Sequence, residues 1–225
     1  MLLKDLECFA RSAVSHLVGK LQSPSKDFFY WNGHPRPELD ELIVHLSNPY
    51  QPERIVIRKI LREKKVNTLL DAACGPAVEL DGYLLEQLPL QYTGFDRSKY
   101  MIQYAQQKHP KYHFQRGDVH HLPFSDNEFE AVLLKHILEH LPDYKQPIQE
   151  ALRVAESYVI IDFFHSLTPL PTDCHFWDYH GFYTNWYSKQ RFEDFLQTQS
   201  IKGFTVHNTK GNAQQTAQIY VVEKK

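Results

Sequence analysis

Apolar residues recur along the chain at two intervals, and the switch between them predicts most of the architecture. Leu3, Leu6, Ala10, Val14, Leu17 and Leu21 fall three or four positions apart, which predicts an amphipathic helix over 3–21. Ser23-Pro24-Ser25 ends it. The aromatic run Phe28, Phe29, Tyr30 and Trp31 then leads into Asn32-Gly33-His34-Pro35-Arg36-Pro37, which no regular element accommodates. Aromatics on such a segment either plug a core or close over a pocket. Helices follow over about 38–46 and 51–65, the second carrying Ile55, Ile57, Ile60 and Leu61.

From residue 68 the period changes. Short apolar runs at 68–71, 92–96, 112–118, 130–136 and 157–164 read as strands, separated by helical patterns at 79–88, 99–108 and 148–155. After a helix at 189–199, the runs 204–208 and 217–222 flank Gly211-Asn212, which predicts a terminal hairpin. Strands alternating with helices require crossovers and a parallel sheet. The expected fold is therefore α/β: a doubly wound, Rossmann-like, mostly parallel seven-stranded sheet with an antiparallel C-terminal strand and an N-terminal helical cap.

Thr68-Leu69-Leu70-Asp71 runs into the small residues Ala72, Ala73, Cys74, Gly75, Pro76 and Ala77, and then into a helical pattern. Small side chains let a backbone approach a ligand, and the N–H groups opening a helix favour polar or anionic groups. A nucleotide-like cofactor suits such a turn, although the G-x-G-x-x-G of dinucleotide sites is matched only at Gly75. Ligands of open α/β sheets bind beyond the carboxyl ends of the strands. Asp71, Asp96, Asp118 and His136 all fall at such ends, at separations of 25, 22 and 18 residues. Asp96 can accept two ribose hydroxyls, and its alternative role is the N-cap of the helix that begins after Arg97-Ser98.

Asp71-Ala72-Ala73-Cys74-Gly75-Pro76-Ala77 resembles motif I, D-x-G-x-G-x-G, of the class I S-adenosylmethionine (SAM) methyltransferases, with Ala73 and Ala77 at the outer glycine positions. Gly117-Asp118-Val119-His120-His121-Leu122-Pro123-Phe124 resembles the G-D-A-x-x-L-P-F stretch of the ubiquinone/menaquinone branch, and the likeness continues through 125–132 and Leu138-Glu139-His140-Leu141-Pro142-Asp143. It spans about 52–165 and the terminal hairpin. The resemblance implies SAM as cofactor, with Asp71, Ala73, Cys74 and Gly75 around its methionine end. It places Asp96 and Arg97 at the ribose, Gly117, Asp118 and Val119 at the adenine, and Lys135 and His136 on the ribose and methionine side; Tyr30 joins this set. With no internal repeat, low-complexity tract or linker, the chain reads as one domain over 1–225: a cap or lid at 1–50, a SAM-binding core at 51–165, a substrate-side aromatic insertion at 166–188, and a helix and hairpin at 189–225.

That insertion holds Trp177, Tyr183 and Trp186 beside Phe164, His165 and His180, with Pro169 and Pro171 preventing a continuous helix. It is either a substrate wall, with Trp31 and His140 completing it, or a packed cover over the sheet edge. Methyl transfer to oxygen usually needs a base, for which His165 and His180 are the candidates. His136-Ile137-Leu138-Glu139-His140 also spells H-x-x-E-H, the inverted zincin pattern; a zinc hydrolase would need a helix through all five residues and a third ligand. No metal is expected. A SAM-binding protein without catalysis and a nicotinamide enzyme also fit a strand-ending acid ladder of this kind.

Composition narrows the partners. A net charge of -2 does not suit a polyphosphate backbone, so nucleic acid is not expected. Three separated cysteines, Cys8, Cys74 and Cys174, without C-x-x-C spacing, predict free thiols in a reducing cytoplasm. Lys4, Asp5, Glu7 and Arg11 interrupt the start, so neither a signal peptide nor a membrane span is expected. The overall expectation is a cytoplasmic enzyme, monomer or homodimer, that methylates an oxygen or nitrogen of a small biosynthetic intermediate or sugar.

Overall fold

Alternate residues of the central strands point to opposite faces, and both faces are buried. The computed structural model describes residues 40, 41, 43, 44, 47–176, 183–210 and 216–225. Its strands are β1 (Thr68–Ala72), β2 (Gln91–Asp96), β3 (His113–Arg116), β4 (Phe129–Lys135), β5 (Ala155–Phe163), β6 (Ile201–Lys210) and β7 (Thr216–Lys224). They form one sheet in the order β3-β2-β1-β4-β5-β7-β6. The first five pair in parallel, while β7 runs antiparallel to both β5 and β6. This is the expected sheet, including its one antiparallel strand.

Leu70, Ala72, Val132, Leu134, Val159, Ile161 and Phe163 face one core; Leu69, Ala131, Leu133 and Ile160 face the other. Helices α1 (Pro52–Glu63), α2 (Val78–Leu85) and α3 (Lys99–Lys108) cover the second face, with Ile57, Leu61, Leu80, Tyr83, Ile102 and Ala105 in its core. Helices α4 (Lys145–Val154) and α5 (Lys189–Gln197) cover the first with Ile148, Ala151, Leu152, Phe192 and Leu196. Each fully buried Val, Leu, Ile or Phe side chain among these contributes about 1.5–3 kcal/mol.

Proline in its first turn, Glu53 near its start and Arg62 in its last turn suit α1 to its dipole. Its buried stripe differs from the expected one: Ile55 is 46% exposed, whereas Glu53 and Arg54 are buried. Their charges are matched by the ion cluster described below. Residues 40, 41, 43 and 44 are helical, and Ile43 packs with Met101 of α3. The rest of the expected helical cap, with Tyr30 and Trp31, lies outside the described residues, as do Trp177, His180 and the Gly211-Asn212 turn. No helix among the described residues is long and apolar enough to cross a membrane. Cys74 is a free buried thiol, but Cys174 is disulfide-bonded, which corrects the expectation of three free thiols.

Candidate functional site

The connections leaving β1 and β4 diverge to opposite sides of the sheet, and a crevice opens at that switch point. It has two connected parts that share Ala73, Asp96 and Ile137. Phe95, Arg97, Gly117, Asp118, Val119 and Leu141 line the first. Asp71, Cys74, Gly75, Glu79, Lys135, His136, His140 and Phe164 line the second, with Arg54 and Met101. All the described residues assigned to the cofactor from the sequence thus face one crevice. His165, Tyr183 and Trp186 stand outside its lining.

The turn after β1 lies where glycine would be at ease. Ala73 has φ 137, Gly75 φ 51 and Ala77 φ 59. A Cβ built at Gly75 meets nothing within 4 Å, so backbone conformation and not space favours glycine there. Ala77 is the N-cap of α2 in the left-handed region, and no side chain caps that helix.

Asp96 braces this turn. Its Oδ2 accepts the Gly75 N–H at 2.9 Å and its Oδ1 the Ser98 N–H at 2.7 Å. Ser98, not Asp96, caps α3, accepting the Met101 N–H at 3.3 Å. A carboxylate offers about four acceptor sites, so Asp96 keeps capacity for further donors. Burial pushes its carboxyl above the usual range. Asp118 Oδ1 accepts the His120 N–H at 3.0 Å and lies 2.6 Å from His120 Nδ1. Chiefly through that His120 side-chain bond, the Asp118 pKa falls to about 2. Beside it, a Cβ on Gly117 would strike the Phe95 ring, so only glycine lets this wall close.

Beneath the second part lies a buried ion cluster. Arg54 Nε donates to Glu79 Oε1 at 2.7 Å. Lys135 Nζ stands 3.9 Å from both Glu53 and Glu79, and 3.4 Å from Asp162 Oδ2. Glu79 Oε2 is buried and accepts no hydrogen bond among the described residues. Asp71 accepts the Tyr92 hydroxyl at 2.8 Å, and burial, followed by the Glu79 charge, raises its pKa to about 7. His136, at φ 51, places Nε2 3.2 Å from Asp162 Oδ2. Burial works to raise Asp162, yet His136 and Lys135 outweigh it and hold its carboxyl below the usual range.

The H-x-x-E-H match does not form a zinc site. His136 sits in a left-handed turn and only Leu138–His140 make a single 3-10 turn, so the five residues share no helix. Glu139 is buried, accepts the Phe164 N–H, and its pKa rises to about 7 through burial. His140 Nδ1 lies 2.7 Å from the Tyr183 carbonyl, and burial lowers its pKa. The aromatic insertion divides between its two expected roles. Tyr187 is core, its hydroxyl donating to the Leu138 carbonyl at 2.8 Å, while Trp186 is 46% and neighbouring Phe164 50% exposed.

Comparison with known proteins fits this geometry. Residues 70–160 match the family model described as a methyltransferase domain. The fold is similar to that of a possible histamine N-methyltransferase from Thermotoga maritima, with TM-score 0.59 and 14% identity over 84% of this chain and 96% of that one. Residues 70–160 are similar to methyltransferase domains. The fold is also similar to that of a Burkholderia thailandensis 1,6-didemethyltoxoflavin-N1-methyltransferase solved with bound 1,6-didemethyltoxoflavin and S-adenosylhomocysteine, with TM-score 0.56 and 17% identity over 84% and 77% of the two chains. In sequence, the domain is 30% identical over 135 residues to phthiotriol/phenolphthiotriol dimycocerosates methyltransferase 1 of Mycobacterium ulcerans, covering 56% of this chain and 48% of that one. It is 29% identical over 139 residues to a demethylmenaquinone methyltransferase of Paenarthrobacter aurescens, covering 60% and 54%. The chain thus spans about half the length of these two relatives.

Residues missed from the sequence are Glu53, Arg54, Glu79 and Asp162. Charged residues at core-facing positions of α1 and α2, and an acid inside the apolar run of β5, are the signals that mark them.

Proposed function

We propose that the protein transfers a methyl group from SAM to an oxygen or nitrogen of a small organic molecule. The observation that carries this reading is the charge of the crevice floor. Among the described residues, the acids Glu53, Glu79 and Asp162 stand against Arg54 and Lys135, and Asp71, with a pKa of about 7, adds partial negative charge beside them. The methionine end of SAM brings an ammonium and a sulfonium, which this floor suits. A nicotinamide dinucleotide would bring a pyrophosphate, whose negative charges it opposes.

Asp96 would hold the ribose, Asp118 and the Val119 N–H the adenine, with Arg97 and Gly117 shaping that end. Asp71, Gly75 and Glu79 would receive the methionine end, beside Ala73, Cys74, Lys135 and His136. SAM, when bound, supplies an already activated methyl group, so the chain's part is alignment, exclusion of water and proton transfer. Phe164 and His140, which line the second part of the crevice, would meet an acceptor, with Tyr183, Trp186, Trp31, Trp177 and Tyr30 as wall residues beyond that lining and His165 or His180 as candidate bases. The names of the similar proteins carry small-molecule acceptors, which supports that partner class over nucleic acid. The reading includes a cytoplasmic monomer or homodimer.

Incubation with methyl-labelled SAM and a panel of small phenols, amines and sugars tests it. Label is expected in one acceptor class, together with S-adenosylhomocysteine. Tight S-adenosylhomocysteine binding with no label in any class would favour a protein that binds SAM without turning it over.

A further inference from the structure

The geometry points to His136, oriented by Asp162, as the residue that takes the proton of a phenol-like acceptor hydroxyl; this rests on the methyltransferase reading above. The His136 ring lines the second part of the crevice, and its Nε2 stands 3.2 Å from Oδ2 of Asp162, a buried carboxylate at the end of the neighbouring strand. The contact is a charge pairing and not an aligned hydrogen bond, and the carboxylate's field favours the tautomer with its proton on Nε2 and the lone pair on Nδ1. Lys135 Nζ lies 3.1 Å from both ring nitrogens. A point equidistant from both at that range lies over the ring face, so the ammonium does not occupy the in-plane lone pair of Nδ1. Its own charge is matched by Glu53, Glu79 and Asp162.

The ring is also held in place. His136 adopts φ 51, its N–H donates to the Asp162 carbonyl at 2.9 Å, and Phe164 meets the ring edge-on at 5.2 Å. Strain of this kind persists where surrounding contacts fix it. The other cleft histidine, His140, has its Nδ1 on the Tyr183 carbonyl, and His165 stands outside the crevice lining.

Half-exposed Phe164 gives a planar acceptor an aromatic face beside this base. The step is a proton transfer. The acceptor O–H bond breaks, its electron pair stays on oxygen, and the proton bonds to Nδ1; the imidazolium formed is balanced by Asp162 and later returns the proton to water. A phenol is acidic enough for imidazole to perform this near neutral pH, and an aliphatic alcohol is not.

The test uses 4-nitrophenol, whose phenolate absorbs visible light, added to the full chain saturated with S-adenosylhomocysteine at a pH below the probe's own ionisation. The wild type should give a saturable phenolate signal. His136→Asn, which keeps a residue tolerant of the left-handed backbone, should reduce it by about tenfold or more with S-adenosylhomocysteine held saturating for the variant as for the wild type. Asp162→Asn should reduce it with His136 still present. An undiminished signal in His136→Asn, or none in the wild type, overturns the assignment. Calorimetry of S-adenosylhomocysteine with the wild type separates the two levels: no binding there removes the methyltransferase reading itself.

Discussion

At Asp96 two backbone N–H groups already hold the carboxylate, one from the turn after β1 and one from the start of α3. The side chain therefore both fixes the turn and keeps acceptor capacity for a ligand. Asp96→Ala should weaken S-adenosylhomocysteine binding by about tenfold to a hundredfold, since charge-assisted hydrogen bonds are worth about 1.5–3 kcal/mol. Unchanged affinity by calorimetry would remove Asp96 from the ribose site. The position of Asp96 was legible because a strand-ending acid follows from apolar periodicity. The bond from Gly75 was not, because it joins residues that only the folded sheet brings together. The same holds for Asp162 and Glu79, whose partners come from neighbouring strands and helices.

The turn between β1 and α2 is the element where local sequence and backbone disagree. The small residues there were readable as a close-approach turn, and alanine at two glycine positions was readable as a constraint. The chain adopts positive φ regardless, at Ala73 and Ala77. A non-glycine residue in such a region costs about 1–2 kcal/mol, part of which glycine returns as unfolded-state entropy. Ala77→Gly should therefore stabilise the fold by about 0.5–1 kcal/mol, raising the melting temperature by about 1–4 °C in a domain of this size. It also replaces a poor N-cap residue with a better one. A lower melting temperature would show that the turn is unstrained. Strand and helix periods made the remaining elements legible to within a few residues, as with α3 at Lys99–Lys108. The stripe on α1 was misread at Ile55 because an ion cluster, not apolar burial, fills the facing space.

For the whole molecule, the buried acids govern how stability responds to pH. Asp71 and Glu139 each have a folded-state pKa of about 7, raised mainly by burial. A raised carboxyl means the folded state binds more protons than the unfolded state between the two pKa values. Their contributions therefore make stability fall as pH rises from about 4 to 7, with a slope of up to about 1.4 kcal/mol per pH unit for each. Asp118, held at about 2, acts oppositely, and its contribution is lost on acidification below about pH 4. Denaturant unfolding of Asp71→Asn across pH 5–8 should show a flatter decline than the wild type. An identical slope would mean that Asp71 titrates normally.

The central claim is that the crevice at the β1/β4 switch receives SAM. A thermal-shift titration of one preparation with SAM, S-adenosylhomocysteine, NAD and zinc tests it most directly. Ligand at 100 times its dissociation constant stabilises by about 2.7 kcal/mol, which is readily seen as a raised melting temperature. A shift with SAM and S-adenosylhomocysteine alone is the predicted result. A shift with NAD or zinc and none with the SAM pair would contradict the account.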